Sequence, residues 1–126
     1  MRDFRTLKVW QKASALTDTT YALIAQYPPT EQFALVAQMR RAAQSIELNI
    51  SEGCGRKGDA EFARSLNIAM GSACELEDSL DISRRQNLGS EEKRRSAEGL
   101  VIEVKKMLAA LLRKLRPNPT RPPYRR

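Results

Sequence analysis

Apolar residues recur along this chain at alternating steps of four and three, and prolines and glycines divide the pattern into four segments. In the first, from about Leu7 to Tyr27, the stripe is Val9, Ala13, Leu16, Thr20, Leu23 and Tyr27, widened by Trp10, Tyr21 and Ile24. Thr6 reads as its cap, Pro28-Pro29 as its stop, and Thr30-Glu31 as the next start signal. The second segment, about Glu31 to Glu52, carries Val36, Met39, Ala43, Ile46 and Ile50, with Phe33 packing near its start and Gly53 as a left-handed C-terminal cap. The third follows Gly58 with Asp59 as N-cap and the seam Phe62, Leu66, Ala69, Ala73, Leu76 and Leu80. The fourth opens at Ser90-Glu91-Glu92 and carries Ala97, Val101, Val104, Leu108, Leu111 and Leu115. Sustained helical periodicity with short connections predicts an all-α fold: an antiparallel, up-down four-helix bundle over residues 1–115. No segment alternates strictly or runs in β-branched residues, so no strand is expected.

A second, small and polar stripe lies beside two of these seams. In the second helix it is Gln38, Ala42, Ser45, Asn49 and Glu52; in the third, Ser65, Ile68, Ser72, Glu75 and Ser79. A solvent face of a bundle ordinarily carries long charged side chains, so small polar residues at seam spacing predict a second backbone close by. Tight packing within the bundle and a subunit interface both fit. The interface or polar-network candidates are Gln38, Arg41, Ser45, Asn49, Glu52, Ser65, Ser72 and Glu75. Arg40 and Arg41 are placed to pair with Glu75, Glu77 and Asp78 on the facing helix.

Composition narrows the chemistry. The 126 residues suffice for one core, and no run of 18 apolar residues exists to cross a bilayer, so no membrane partner is expected. No secretory signal is seen at Met1-Arg2-Asp3-Phe4-Arg5, which makes the cytoplasm the expected compartment. The chain has no histidine, which removes Ser-His and Cys-His nucleophile pairs and the Glu-x-x-His di-iron pattern. Two cysteines, Cys54 in a loop and Cys74 on a helix, match neither a disulfide framework nor a zinc spacing. No catalytic residue, metal or cofactor is therefore expected.

Charge points elsewhere. The net charge is +7, of which Arg116, Arg121, Arg125 and Arg126 in the Pro/Arg-rich tail, residues 116–126, supply four. A basic chain is drawn to polyanions. Candidate phosphate contacts are Arg56, Lys57, Lys93, Arg94, Arg95, Lys105, Lys106 and the four tail arginines, with Tyr124 available to stack on a base. A solvated tail that only aids solubility fits as well. Gly53-Cys54-Gly55-Arg56-Lys57-Gly58 spells the dinucleotide-binding GxGxxG, but that fingerprint needs a preceding strand and here follows a helix. Two readings stay open: a tight turn needing glycine dihedrals, or an anion site at the start of the third helix.

Several motifs together carry a family resemblance. They are Asp3-Phe4-Arg5 with Leu7-Lys8-Val9-Trp10-Gln11-Lys12-Ala13; Gln38 with Arg40-Arg41-Ala42-Ala43 and Ser45-Ile46; Asn49-Ile50-Ser51-Glu52-Gly53 with Gly55-Arg56; Glu61-Phe62; and Ala69, Gly71-Ser72 and Glu75-Leu76-Glu77. In combination they resemble the four-helix-bundle proteins encoded within intervening sequences of bacterial 23S rRNA genes. The resemblance implies a homopentameric ring. It also implies kinship with accessory proteins of diversity-generating retroelements, which resemble basic pentamers that bind nucleic acid and a reverse transcriptase. It implies no defined activity for the intervening-sequence branch, and the Pro/Arg tail falls outside the pattern. The expectation is a non-enzymatic oligomer, pentameric by resemblance, that binds RNA or DNA through basic surfaces. The alternatives are a scaffold for an unidentified protein partner and, less favoured by the residues, an enzyme using carboxylates or the Cys54 loop.

Overall fold

The computed structural model describes residues 3–115, so the tail and its four arginines lie outside the described residues. Within them are four α-helices and no strand: α1 (Lys8–Ile24), α2 (Ala37–Cys54), α3 (Gly58–Arg85) and α4 (Glu91–Lys114). Each packs on its chain neighbours, and α4 closes the square against α1. All the seam residues expected from periodicity are buried except Leu111 and Leu115, which pack half-buried at the end of α4; of the residues widening the first seam, Ile24 is buried, Trp10 half-buried and Tyr21 exposed. Each fully buried Leu or Ile contributes about 1.5–3 kcal/mol relative to exposure, so this seam dominates the fold. No helix among the described residues is long and apolar enough to cross a membrane.

The antiparallel path gives the bundle two unlike poles. At one, the α1–α2 and α3–α4 connections meet, where the Ser90 N–H donates to the Gln26 side-chain oxygen at 2.7 Å. At the other lie the N-terminal turn, the α2–α3 turn and the end of α4; Leu7 and Lys8 share a groove with Leu111 and Lys114 there.

Local departures from the sequence expectation have identifiable causes. Thr6 does not cap α1; it sits in a 3-10 turn (Phe4–Thr6), and its hydroxyl donates to the Asp3 carbonyl at 2.8 Å. Thr30 does not cap the second helix, which is entered through a 3-10 turn (Pro29–Glu31) and a π turn (Gln32–Val36). The wider π turn carries Leu35 and Val36 inward and leaves Phe33, expected to pack, 95% exposed. Ser90 does cap α4, accepting from the Lys93 N–H at 3.2 Å. Asp59 lies inside the first turn of α3, with Lys57 at the cap position.

The glycine-rich turn resolves into two separate requirements. Gly53 is no left-handed cap but the next-to-last residue of α2, where an added Cβ would stand 2.8 Å from Phe62 Cδ1 and 3.0 Å from Ser65 Cβ. Gly58 opens α3 at φ +79°, a conformation that favours glycine. Cys54, expected in a loop, is the buried last residue of α2.

Candidate interaction surfaces

The small-polar stripes of α2 and α3 meet. Ser72 Oγ donates to Ser45 Oγ at 2.7 Å, and Asn49 Nδ2 donates to the Ser45 carbonyl at 2.8 Å and to its hydroxyl at 3.1 Å. These groups line the floor of an open groove of about 480 Å³, with Arg41 and Glu75 among the other lining residues. Five of the eight residues picked from the stripes thus share one surface: Arg41, Ser45, Asn49, Ser72 and Glu75. Gln38 and Glu52 lie beyond its ends, and Ser65 is buried against Gly53. Leu48, 62% exposed, lines the groove, and the register that pairs Ser45 with Ser72 brings Ile68, 48% exposed, to the same level.

The interhelical ion pairs expected for Arg40 and Arg41 do not form among the described residues. Arg40 lies over the Tyr21 ring at 5.7 Å, and Glu77 instead accepts from Lys105 Nζ at 2.6 Å. The hydrogen bond to Glu77 raises the pKa of Lys105 by favouring the charged ammonium. A second groove of about 420 Å³ between α3 and α4 is acidic, lined by Glu77, Asp78, Asp81 and Glu98 with Cys74 and Ile102. The described residues hold no group of three or more side chains arranged to bind a metal.

The cations chosen from sequence fare unequally. Arg94 is only 7% exposed, and its guanidinium donates to the carbonyls of Leu88 and Gly89 at 2.8 and 2.6 Å, tying down the α3–α4 turn. Its reading as a phosphate contact is therefore corrected: it is buried, and its Nη1 holds two carbonyls inside the fold. Arg95 pairs with Glu91 at 2.9 Å and Lys105 with Glu77. Arg56 pairs loosely with Glu52 at 3.4 Å, while Lys57, Lys93 and Lys106 make no ion pair among the described residues. Arg116, Arg121, Arg125 and Arg126 lie outside the described residues.

Two polar features escaped the sequence pattern. Tyr27 donates to Ser83 Oγ at 2.5 Å, and Ser83 donates to the Ser79 carbonyl at 2.9 Å, a buried chain linking the end of α1 to α3. Burial pushes the Tyr27 phenol above its ordinary pKa. Asp81 accepts from both Arg84 and Arg85, hydrogen bonds that hold its carboxyl below the ordinary aspartate value. Tyr27 and Ser83 are far apart in the sequence, and only their positions at the ends of two seams would have hinted at the link.

Residues 5–110 match the family described as 23S rRNA-intervening sequence protein. Among solved structures, the chain is similar to a protein of unknown function of the S23 ribosomal protein family from Bacteroides thetaiotaomicron VPI-5482. The TM-score is 0.70 at 26% identity, covering 82% of this chain and 97% of that one. Comparison with curated proteins finds no match.

Proposed function

The chain belongs to the 23S rRNA-intervening sequence protein family, and from that premise we propose that it is a non-enzymatic, oligomeric building block that presents basic surfaces to RNA or DNA. The observation that carries this reading is the α2–α3 groove. Its serines and asparagine bond to one another, so its floor is satisfied without a ligand, while Leu48 and Ile68 are left exposed beside it. A satisfied polar floor beside exposed apolar side chains suits contact with another copy of the chain. A homopentameric ring is the assembly the sequence resemblance favours. The net charge of +7, repeated around such an assembly, supports multivalent contact with phosphates.

The test is the native mass of the purified full chain by light scattering, with its ultraviolet absorbance ratio, followed by gel shifts in rising salt. A multimer that retards RNA or DNA at low salt and releases it at higher salt is expected. A monomer, or binding indifferent to salt, overturns the reading. A defined protein partner co-purifying without nucleic acid favours the scaffold alternative.

A further inference from the structure

We infer that nucleic-acid phosphates are bound at one pole of the bundle, the end formed by the N-terminal turn, the α2–α3 turn and the C-terminus of α4. The inference rests on the nucleic-acid reading above and assigns it a surface. Six cations gather at this pole: Arg5, Lys8, Arg56, Lys57, Arg113 and Lys114, all exposed. Only Arg56 has an ion-pair partner among the described residues, and that contact is long, 3.4 Å to Glu52. Lys8 and Lys114 line one groove of about 290 Å³ whose other walls are the apolar Leu7, Val9, Met107, Ala110 and Leu111. The chain continues from Leu115 at this same pole into a segment holding four more arginines and no acid.

The opposite pole has cations as well, but most of them are held by partners in the fold. Arg84 and Arg85 both pair with Asp81, Arg95 pairs with Glu91, and Arg94 holds the Leu88 and Gly89 carbonyls. Lys93 shares its surface groove with Asp18 and Glu92. The acids at the basic pole are Asp3, Glu52, Asp59 and Glu61. Asp3 caps the N-terminal turn, and Asp59 and Glu61 lie in the first turn of α3, where they suit the helix dipole.

Two positions separate this pole from an ordinary solvated end. Lys8 is the first residue of α1 and Lys57 holds the cap position of α3. Both are positive ends of helices, where a cation is disfavoured. No side-chain cap bond forms at either, and no acid occupies the first turn of α1. The helix dipole does not favour lysine at either place. An approaching phosphate gains from the lysines and from the positive ends of the helix dipoles together.

The experiment compares two triple neutralisations in the full chain, equal in charge: K8Q/K57Q/K114Q at the basic pole and R40Q/R84Q/R85Q towards the other, where the cations already have partners in the fold. Each is titrated into a fluorescein-labelled single-stranded RNA and the matching DNA, with anisotropy followed over a salt series. The basic-pole variant is expected to bind at least tenfold more weakly at low salt. The slope of log affinity against log salt should fall by about 2 to 3, near 0.7–0.9 per lost phosphate contact. The other variant should stay within about threefold and keep the wild-type slope. Circular dichroism melts confirm that both are folded; if the basic-pole variant is not, K8Q/K114Q replaces it. Equal loss in both variants, or none at the basic pole while wild type binds, overturns the assignment and leaves the nucleic-acid reading standing. Wild type that binds neither probe at low salt removes both.

Discussion

Gly53→Ala tests a close approach of α2 to α3. The substitution changes two quantities of opposite sign. Alanine in a helix interior is favoured over glycine by about 1 kcal/mol through backbone entropy. Against that, the new methyl would sit 2.8 Å from Phe62 Cδ1 and 3.0 Å from Ser65 Cβ, where carbon pairs ordinarily rest near 3.5–4.0 Å. Phe62 is only 1% exposed, so its ring has no solvent to retreat into and α2 must move from α3. Overpacking of this kind costs about 1–3 kcal/mol, and the net expectation is destabilisation of about 1–2 kcal/mol. Gly99→Ala in α4 is the internal control. Nothing lies within 4 Å of its Cβ position, so only the backbone effect acts, and stability should rise by about 0.5–1 kcal/mol. Urea unfolding followed by far-ultraviolet circular dichroism measures both, at one fixed protein concentration so that any concentration dependence cancels in the comparison. The double variant G53A/F62L should lose less than the two single losses together, with coupling of at least about 0.5 kcal/mol. Gly53→Ala as stable as wild type would refute the packing argument.

Other outcomes follow from the same geometry. Arg94→Met should cost about 1–3 kcal/mol, because the Leu88 and Gly89 carbonyls lose charged donors; the urea midpoint checks it. Tyr27 titrates above its ordinary value, so its contribution is complete below about pH 10 and is lost as pH rises through the raised pKa. Tyr27→Phe should flatten that alkaline decline while lowering neutral stability, as melts across alkaline pH will show. Asp81 titrates below the ordinary aspartate value, so its contribution is present above about pH 4 and disappears as pH falls through the lowered pKa. Carboxyl NMR should show that pKa returning upward in R84Q/R85Q. Phe33→Ser should leave the urea midpoint within about 0.5 kcal/mol of wild type, since the ring is almost wholly exposed.

The seams were legible because burying an apolar stripe is a demand that residue type alone expresses. Val9 to Tyr27, Phe62 to Leu80 and Ala97 to Leu108 lie where their spacing puts them. The polar stripe was legible for a related reason, since small residues at seam spacing mark close backbones. What escaped depended on backbone hydrogen bonding that residue type does not encode. The π turn that expels Phe33 is set by how the chain leaves Pro28-Pro29, not by the apolar rhythm. Gly53 looked like a cap because glycine commonly ends helices, yet its lack of a Cβ makes room for the buried Phe62 ring of α3. Arg94 looked like a surface cation because arginine usually is one. Its fate was set by two carbonyls left over where α3 ends and Gly89 turns the chain.

That last case bears on how charge should be read in this protein. The chain's excess of positive charge is a property of its composition, but the charge available to a partner is what remains after the fold has drawn its share. Arg94, Arg95 and Lys105 have partners inside the chain, so displacing them toward a phosphate would first break those bonds. Lys8 and Lys57 have none among the described residues, and each opposes the dipole of the helix it begins. A cation that helps the fold should cost stability when neutralised; one that the fold merely tolerates should not. Lys8→Gln and Lys57→Gln are thus expected to leave the urea midpoint unchanged or slightly raised, while Lys105→Gln lowers it. Nucleic-acid binding measured on the same proteins should rank them in the opposite order, and that inversion would separate the charge that builds the bundle from the charge left over for phosphates.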